Sequence, residues 1–301
     1  MSGPVTVLIP THNRARALEA MFPSYLNDPS VEKIVVVDDG STDDTADRVR
    51  QLANASTVPV ELITHDRKRG QQAARMTAIA AAHTDWVLFG EDDVWISPSY
   101  CATLLEQAST LNADAIAGRL VTAVVPGAFS PEMLVDNTPI SGEEEVFDMK
   151  MLAADFSLRP PTVVPAPHLH TIALIRRSVF DRVAFDTHYS GNGWREETDF
   201  YFGLNSAGGK VYFSPDAVCY HIRGPISARG GQRANRICLE YYAFRNTLYL
   251  VRKHWAYLSQ CFGFTGSPLL WTMGYFGRRQ IRHLARVLKR ECGSTFKARA
   301  K

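Results

Sequence analysis

Three groups of acids carry the chemistry this sequence is able to perform. Glu91, Asp92 and Asp93 stand in a row behind the apolar run of WVLFGEDDVWISP (residues 86–98). Asp38 and Asp39 close a second apolar run, VEKIVVVDD, and Glu196, Glu197 and Asp199 form a third group within WREETD. Carboxylates gathered in a protein interior are costly unless a cation sits among them. A divalent ion that prefers oxygen, Mg²⁺ or Mn²⁺, meets that need and keeps coordination positions for phosphate oxygens. The first group taken alone also fits a solvated turn after a strand. The second and third groups tip the reading toward a shared site.

Each acid has a plainer role beside the chemical one. Asp39, with Gly40 behind it, can accept a hydrogen bond from a base edge or a ribose if a nucleotide lies across a sheet edge. It can also cap the helix that follows, a task open to Asp43 as well. Any of Glu196, Glu197 and Asp199 can remove a proton from an acceptor hydroxyl as general base. The helix dipole favours all of them at a helix start regardless of use. Trp194 offers an apolar wall or a stacking surface for a sugar ring. His221, at the end of a strand, is a structural histidine unless the fold brings it beside Glu91 and Asp93, where it becomes a third metal ligand. His168 and His170 alternate along an extended segment without an acid or cysteine partner.

The chain contains neither G-x-G-x-x-G after its first strand nor G-x-x-x-x-G-K-[ST] anywhere. A phosphate must therefore be held by metal and basic side chains, not by a glycine-rich cradle. Arg14, Arg67, Lys68, Arg69 and Arg75 stand near strand ends, although a run such as 67–69 is equally a solvated helix start.

These residues need a scaffold that collects strand ends. Apolar runs at 5–9, 31–39, 58–64 and Trp86–Phe89 read as buried strands, with helical patterns at Ala15–Leu26, 45–53, 71–82 and 97–111 between and after them. That alternation predicts an α/β, Rossmann-like architecture with a mostly parallel sheet flanked by helices. Right-handed crossovers place the loops after the strands on one edge, gathering residues 11–14, Asp38, Asp39 and 91–93. Residues 126–167 hold seven prolines and the acidic patch Glu143-Glu144-Glu145, a surface insertion or an acceptor-side lid. A strand over 171–175, a short helix over 176–183, a helix from Trp194 to Ala207 ended by Gly208-Gly209, and edge or return strands at 211–213 and 217–221 follow. A Gly/Arg-rich loop, 223–231, leads to a helix over 236–254. The division expected is a nucleotide-binding and catalytic domain over 1–223 and a helical C-terminal extension over 224–301.

Composition sets the outer limits. The 301 residues are 46% hydrophobic and 21% charged with a formal net charge of +2, which describes a globular enzyme-sized chain and not a nucleic-acid binder. Five scattered cysteines, Cys101, Cys219, Cys238, Cys261 and Cys292, form no C-x-x-C pair and suit a reducing cytoplasm. The opening MSGPVTVLIPTHNR has no basic n-region or apolar h-region, so no signal peptide is expected. The apolar stretch 257–276 is interrupted by Gln260, Gly263, Gly266, Pro268 and Gly274 and makes a poor spanning helix. Residues 278–301 hold nine Lys or Arg against one acid, Glu291. Within them Ile281, Leu284, Ala285 and Leu288 share one helical face opposite Arg279, Arg282, Arg286, Lys289 and Arg290. That helix can lie on an anionic membrane surface, making the protein peripheral at the inner face, or pack its stripe on the domain.

The order of the pieces, VTVLIPTHNR, IVVVDDGSTDDT, Gly70 to Arg75 as G-x-x-x-A-R, FGEDDV and WREETDFYFGLNSAGGKVYFSPDAVCYH, resembles the inverting glycosyltransferases of the large second sequence family, with their GT-A fold. FRNTLYLVRKH near the C-terminus is similar too. The resemblance implies a nucleotide-diphosphate sugar donor, a carbohydrate or lipid-linked acceptor, no nucleic acid, and a metal ion, Mg²⁺ or Mn²⁺. Pro10, Thr11 and Asp39 then correspond to the nucleoside-binding loops, with Arg14 and Arg75 beside the donor. Glu91-Asp92-Asp93 looks like the D-x-D element, with Asp93 on the metal, Asp92 near the ribose or sugar, and Glu91 where an aspartate is usual. Glu197 falls where the catalytic aspartate is common, with Glu196 and Asp199 as rivals, and His221 matches the histidine that completes some metal sites. Two other classes compete. A nucleotidyltransferase would need a glycine-rich, lysine-bearing N-terminal loop that is missing; an inactive sugar-nucleotide-binding partner subunit would keep the site without turnover.

Overall fold

The computed structural model describes residues 3–141, 146–189, 193–227 and 236–298, with side chains as far as residue 285. Val5–Thr11 (β1) and Val31–Asp38 (β2) pair in parallel, joined by the helix Ala15–Leu26 (α1). The helix Thr45–Ala55 (α2) leads to Val60–Thr64 (β3), parallel to β2. Gln71–Ala80 (α3) then leads to Trp86–Phe89 (β4), parallel to β1 on its other side. Alternate residues of β2 explain why both faces are covered. Ile34 and Val36 enter one apolar cluster with Val7, Leu18 and Phe22, while Val35 and Val37 are equally buried on the other face. Each fully buried Val or Leu of this kind contributes roughly 1.5–3 kcal/mol.

Past β4 the sheet changes direction. A three-residue strand, Val94–Ile96 (β5), precedes the helix Tyr100–Leu111 (α4). Ala115–Val124 (β6) follows, and in the 126–167 region the pairs Phe147–Asp148 (β7) with Ala153–Ala154 (β8) and the short Val164–Pro165 (β9) are formed. Ala173–Arg176 (β10) runs antiparallel to both β4 and β6. After the helix Glu196–Ser206 (α5), Val211–Arg223 (β11) lies parallel to β6 and antiparallel to β5 and β9. The nine-stranded sheet thus has the order β3-β2-β1-β4-β10-β6-β11-β5, with β9 on β11.

Several expectations are corrected in this half. Residues 211–213 and 217–221 are not separate edge strands but one strand whose register shifts between Phe213 and Val218, so Pro215 falls at the irregularity, where a missing N–H breaks no ladder. The turn after β10 is a 3-10 helix, Arg177–Asp181. The fourth helix starts at Tyr100, not residue 97, because Ser99 sits in the left-handed region at φ 62° and breaks the helical path before it.

The chain separates into two compact units, Met1–Val146 with Asp155–Arg233, and Phe147–Ala154 with Ala234–Lys301. The second unit is built from Arg236–Lys253 (α6), Trp255–Phe262 (α7) and Pro268–Ala298 (α8) together with the β7–β8 pair. Glu143-Glu144-Glu145, most of the 223–231 loop and the side chains of Arg286, Leu288, Lys289 and Arg290 lie outside the described residues.

Candidate active site

The first strand-end loops are tied together before any ligand is considered. Asp39 donates its N–H to the Thr11 carbonyl at 2.9 Å, and the Thr11 hydroxyl donates to Asp92 Oδ2 at 2.8 Å. Asn13, at φ 54°, donates its N–H to Ser41 and accepts from Thr42 N. Gly40 turns at φ +68°, where an added Cβ would lie 2.5 Å from the Arg67 carbonyl carbon, so only glycine fits. Asp43, not Asp39, caps α2, accepting from Thr45 N at 3.1 Å and from its hydroxyl. Asp39 Oδ1 accepts from His65 Nδ1 and Arg69 N, and Oδ2 from Gly70 N, each at 2.8 Å. Burial alone would raise its pKa, but the bond from His65 and the two N–H groups hold it below the ordinary value. Pro10 sits opposite Val37 in the ladder, one residue before this junction.

The central acids surround a resident cation. Arg14 Nε lies 3.2 Å from Asp92 Oδ1, and its Nη2 lies 2.6 Å from Asp93 Oδ2. A third guanidinium nitrogen donates to the Ser227 carbonyl at 2.6 Å. Strand β5, too short to read in the sequence, brings up the histidine: His221 pairs with Val94, Ile222 N donates to the Asp93 carbonyl, and His221 Nε2 comes within 3.7 Å of Asp93 Oδ2. The Asp93 carboxylate beside it raises the His221 pKa, against burial. Burial pushes Asp92 up to about 6, although Arg14 opposes it.

The expected trio of Glu91, Asp93 and His221 does not close into a metal cage. Among the described residues no three His, Cys, Asp or Glu side chains converge as ligands. The physical reason is that Arg14 occupies Asp93 Oδ2, the oxygen that faces His221. Asp93 still offers a carboxylate suited to Mg²⁺ or Mn²⁺, and the His221 imidazole beside it favours Mn²⁺ of the two.

Glu91 points its influence elsewhere. Its backbone is gripped by Tyr25, whose hydroxyl donates to the Glu91 carbonyl at 2.9 Å and lies 3.0 Å from the Glu91 N–H. Gly90 permits that approach, since a Cβ there would stand 2.9 Å from Ile9 Cγ1 and 3.1 Å from Tyr25 Cζ. Burial, then repulsion from Asp93, pushes the Glu91 carboxyl up to about 7, with Arg75 pulling against them. Glu91 therefore lies electrostatically between the Asp93–His221 pair and the third acidic group.

That third group is organised by Arg75 on α3. The residue is 1% exposed, with its guanidinium 5.7 and 5.5 Å from the ring centres of Phe89 and Phe185. Nη1 lies 2.9 Å from Glu196 Oε1 and Nη2 lies 3.0 Å from Glu197 Oε1. Burial would lower its pKa, but Glu197, Glu196 and Glu91 more than compensate and keep it charged. Arg75 is thus spent on carboxylates and does not stand free for a phosphate as the sequence suggested. Thr171, absent from the sequence reading, donates to the same Glu197 oxygen at 2.8 Å. Arg195 enters α5 in the left-handed region at φ 77°, a conformation that persists only when its surroundings enforce it.

The three rival bases differ in setting. The Glu196 side chain is 4% exposed and burial pushes it up to about 7. Asp199 is 2% exposed and accepts from the Tyr189 hydroxyl at 3.0 Å. Glu197 is 38% exposed and both of its bonds among the described residues fall on Oε1. It lines a cleft of about 250 Å³ with Gln71, Trp194, Arg195, Thr198 and Glu196 itself, so exposure and not access to the cleft separates the two glutamates.

The profile of Glycosyl transferase family 2 matches residues 6–183. The chain is 28% identical over 237 residues to the pre-mycofactocin glycosyltransferase of Mycobacterium tuberculosis, covering 73% of this chain but 44% of that protein, so it spans less than half of that relative. It is 33% identical over 103 residues to the succinoglycan biosynthesis protein ExoU of Rhizobium meliloti, covering 34% of this chain and 30% of that one. Among solved structures, S. aureus TarS 1–349 in complex with UDP-GlcNAc aligns with a TM-score of 0.60 at 15% identity, over 83% of this chain and 66% of that one. The mannosyltransferase PcManGT from Pyrobaculum calidifontis, in complex with GDP-Man and Mn²⁺, aligns with a TM-score of 0.56 at 19% identity, over 92% of this chain and 70% of that one. A GT-A sheet, strand-end loops carrying Asp39 and Asp92, and a matched profile over more than half its length show that the chain belongs to glycosyl transferase family 2.

Proposed function

We propose that this protein transfers a sugar from a nucleoside-diphosphate sugar to an acceptor hydroxyl, with inversion at the anomeric carbon and Glu197 as general base. One observation carries the assignment. Among the described residues Glu197 is anchored through Oε1, by Arg75 and Thr171, and no bond falls on Oε2, while the side chain opens on the cleft. Such a group is held still yet able to accept a proton. Glu196 and Asp199 lack that exposure.

The donor lies across the strand ends in this reading. Asp39 with Pro10 and Thr11 receives the nucleoside, and Asp92 faces the ribose or sugar. Arg14, linked to both Asp92 and Asp93, is the side chain able to exchange a carboxylate for a diphosphate oxygen. A divalent metal, Mg²⁺ or Mn²⁺, would be held by Asp93 and His221 and would supply charge neutralisation for the departing nucleoside diphosphate. Glu197 takes the proton of the acceptor hydroxyl, the acceptor oxygen forms its bond to the anomeric carbon, and the bond to the diphosphate breaks with its electron pair leaving on phosphate oxygen. A single displacement of this kind inverts configuration.

The test is a panel of nucleoside-diphosphate sugars with and without Mn²⁺. A bound donor raises the melting temperature of the protein. The stabilising donor is then offered with carbohydrate and lipid-linked acceptors, and the product is read by NMR. Free nucleoside diphosphate with an inverted glycosidic linkage supports the reading; pyrophosphate as product, or retained configuration, overturns it.

A further inference from the structure

The second compact unit carries a charge opposite to the first. Met1–Val146 with Asp155–Arg233 holds 19 Lys and Arg against 28 Asp and Glu, a formal −9. Phe147–Ala154 with Ala234–Lys301 holds 14 against three, a formal +11. The small total of the whole chain conceals this division.

The longest helix of that unit also has two faces of different character. Thr272 and Tyr275 on α8 are buried, and Arg279 on the same side bonds Glu240 of α6 at 3.0 and 3.1 Å. At 3.6 residues per turn, Leu270, Met273, Ile281 and Leu284 fall together on the opposite side. They are 68%, 56%, 67% and 59% exposed. The stripe thus lies away from the side that packs on α6. Trp271 and Arg278 lie between the two sides, with the guanidinium 5.6 Å from the indole centre and the indole stacked on Phe264 and Tyr275, while the exposed Arg282 bonds Asp148 at 2.9 Å. No helix among the described residues is long and apolar enough to cross a membrane.

We propose that α8 docks on an anionic membrane surface, with Leu270, Met273, Ile281 and Leu284 set into the headgroup boundary and the basic residues of the unit over the anionic headgroups. An exposed apolar stripe on a strongly cationic unit is the combination an interfacial helix requires. A second copy of the chain is disfavoured, because two +11 units would repel. A nucleic acid would use the charge but leave the stripe in water. The docking stands apart from the transfer chemistry, and only its consequence, that the acceptor is presented at a bilayer, rests on that reading.

The experiment is flotation of the full chain with vesicles of phosphatidylcholine alone or mixed with phosphatidylglycerol, for wild type and for Ile281→Asn/Leu284→Asn. Wild type is expected to float with the anionic vesicles only, and the double variant to bind them at least about tenfold more weakly. Donor-induced thermal stabilisation, measured in parallel, should be equal in both proteins; its absence from both would count against the transfer reading and not against docking. Three results overturn the proposal: no flotation with anionic vesicles, flotation unchanged in the double variant, or a concentration-dependent dimer that the double substitution abolishes.

Discussion

Arg75 and Glu197, 122 residues apart, meet at 3.0 Å through a buried guanidinium and a single carboxylate oxygen. The same oxygen receives the Thr171 hydroxyl, and the neighbouring guanidinium nitrogen holds Glu196. One cation thus fixes two successive acids at the start of α5, with the aromatic walls of Phe89 and Phe185 excluding water from it. The arrangement keeps the proposed base in one orientation before acceptor arrives.

Thr171→Val removes one of the two anchors of Glu197 without altering volume. Its turnover is expected to fall about 10- to 100-fold with donor KM unchanged. Thr171→Ser should restore turnover. A loss confined to stability, with turnover unchanged, would reduce Thr171 to a packing residue.

In the proposed site a metal ion would have to compete with Arg14 for Asp93 Oδ2. Arg14→Gln, without donor, is therefore expected to bind Mn²⁺ roughly tenfold more tightly, followed by electron paramagnetic resonance of the free ion. Donor affinity should weaken in the same variant, because a diphosphate contact is lost. Unchanged or weaker Mn²⁺ binding would show that Arg14 does not obstruct the ion.

Glu196 gives a pH signature. Burial pushes its carboxyl from an ordinary 4.5 to about 7. Between those values the folded chain keeps a proton that the unfolded chain has lost, so stability from this residue falls as pH rises through that window. Glu196→Gln cannot titrate. The melting temperature of wild type minus that of Glu196→Gln should therefore decline from pH 5 to pH 8, as followed by circular dichroism in the absence of donor and metal. A flat difference would place the Glu196 carboxyl outside this range.

Gly90→Ala tests the support beneath the acids. Its Cβ would press on Ile9 and Tyr25, and overpacking of this kind costs about 1–3 kcal/mol. Urea denaturation should show that loss, together with weaker donor binding as the Glu91–Asp93 turn shifts. Wild-type stability would mean that the sheet yields at this position without strain.

The parallel half of the sheet was legible because its strands are continuous apolar runs. Ala15–Leu26 and Trp86–Phe89 are found with the limits the sequence suggests, and the helix even accommodates Pro23. The acids were legible by type and by their place after strands. Pairing was not. Val94–Ile96 is too short for any period to mark, yet it is the strand that sets His221 beside Asp93. Arg75 reads as a phosphate candidate beside the donor until the fold brings α5 against it. Thr171, Tyr25 and His65 carry no motif at all; each acts by a hydrogen bond to a residue distant in sequence. Local pattern reports burial and element type, whereas these contacts depend on how β10, β11 and β5 join the sheet.

Removal of the acceptor proton by Glu197 is isolated by Glu197→Gln, which keeps the shape of the side chain and removes its basicity. With donor affinity measured by calorimetry and transfer followed in single turnovers, donor binding should be retained while the transfer rate falls about 10²- to 10⁴-fold. A Glu197→Gln protein that binds donor and transfers sugar at the wild-type rate would contradict the account.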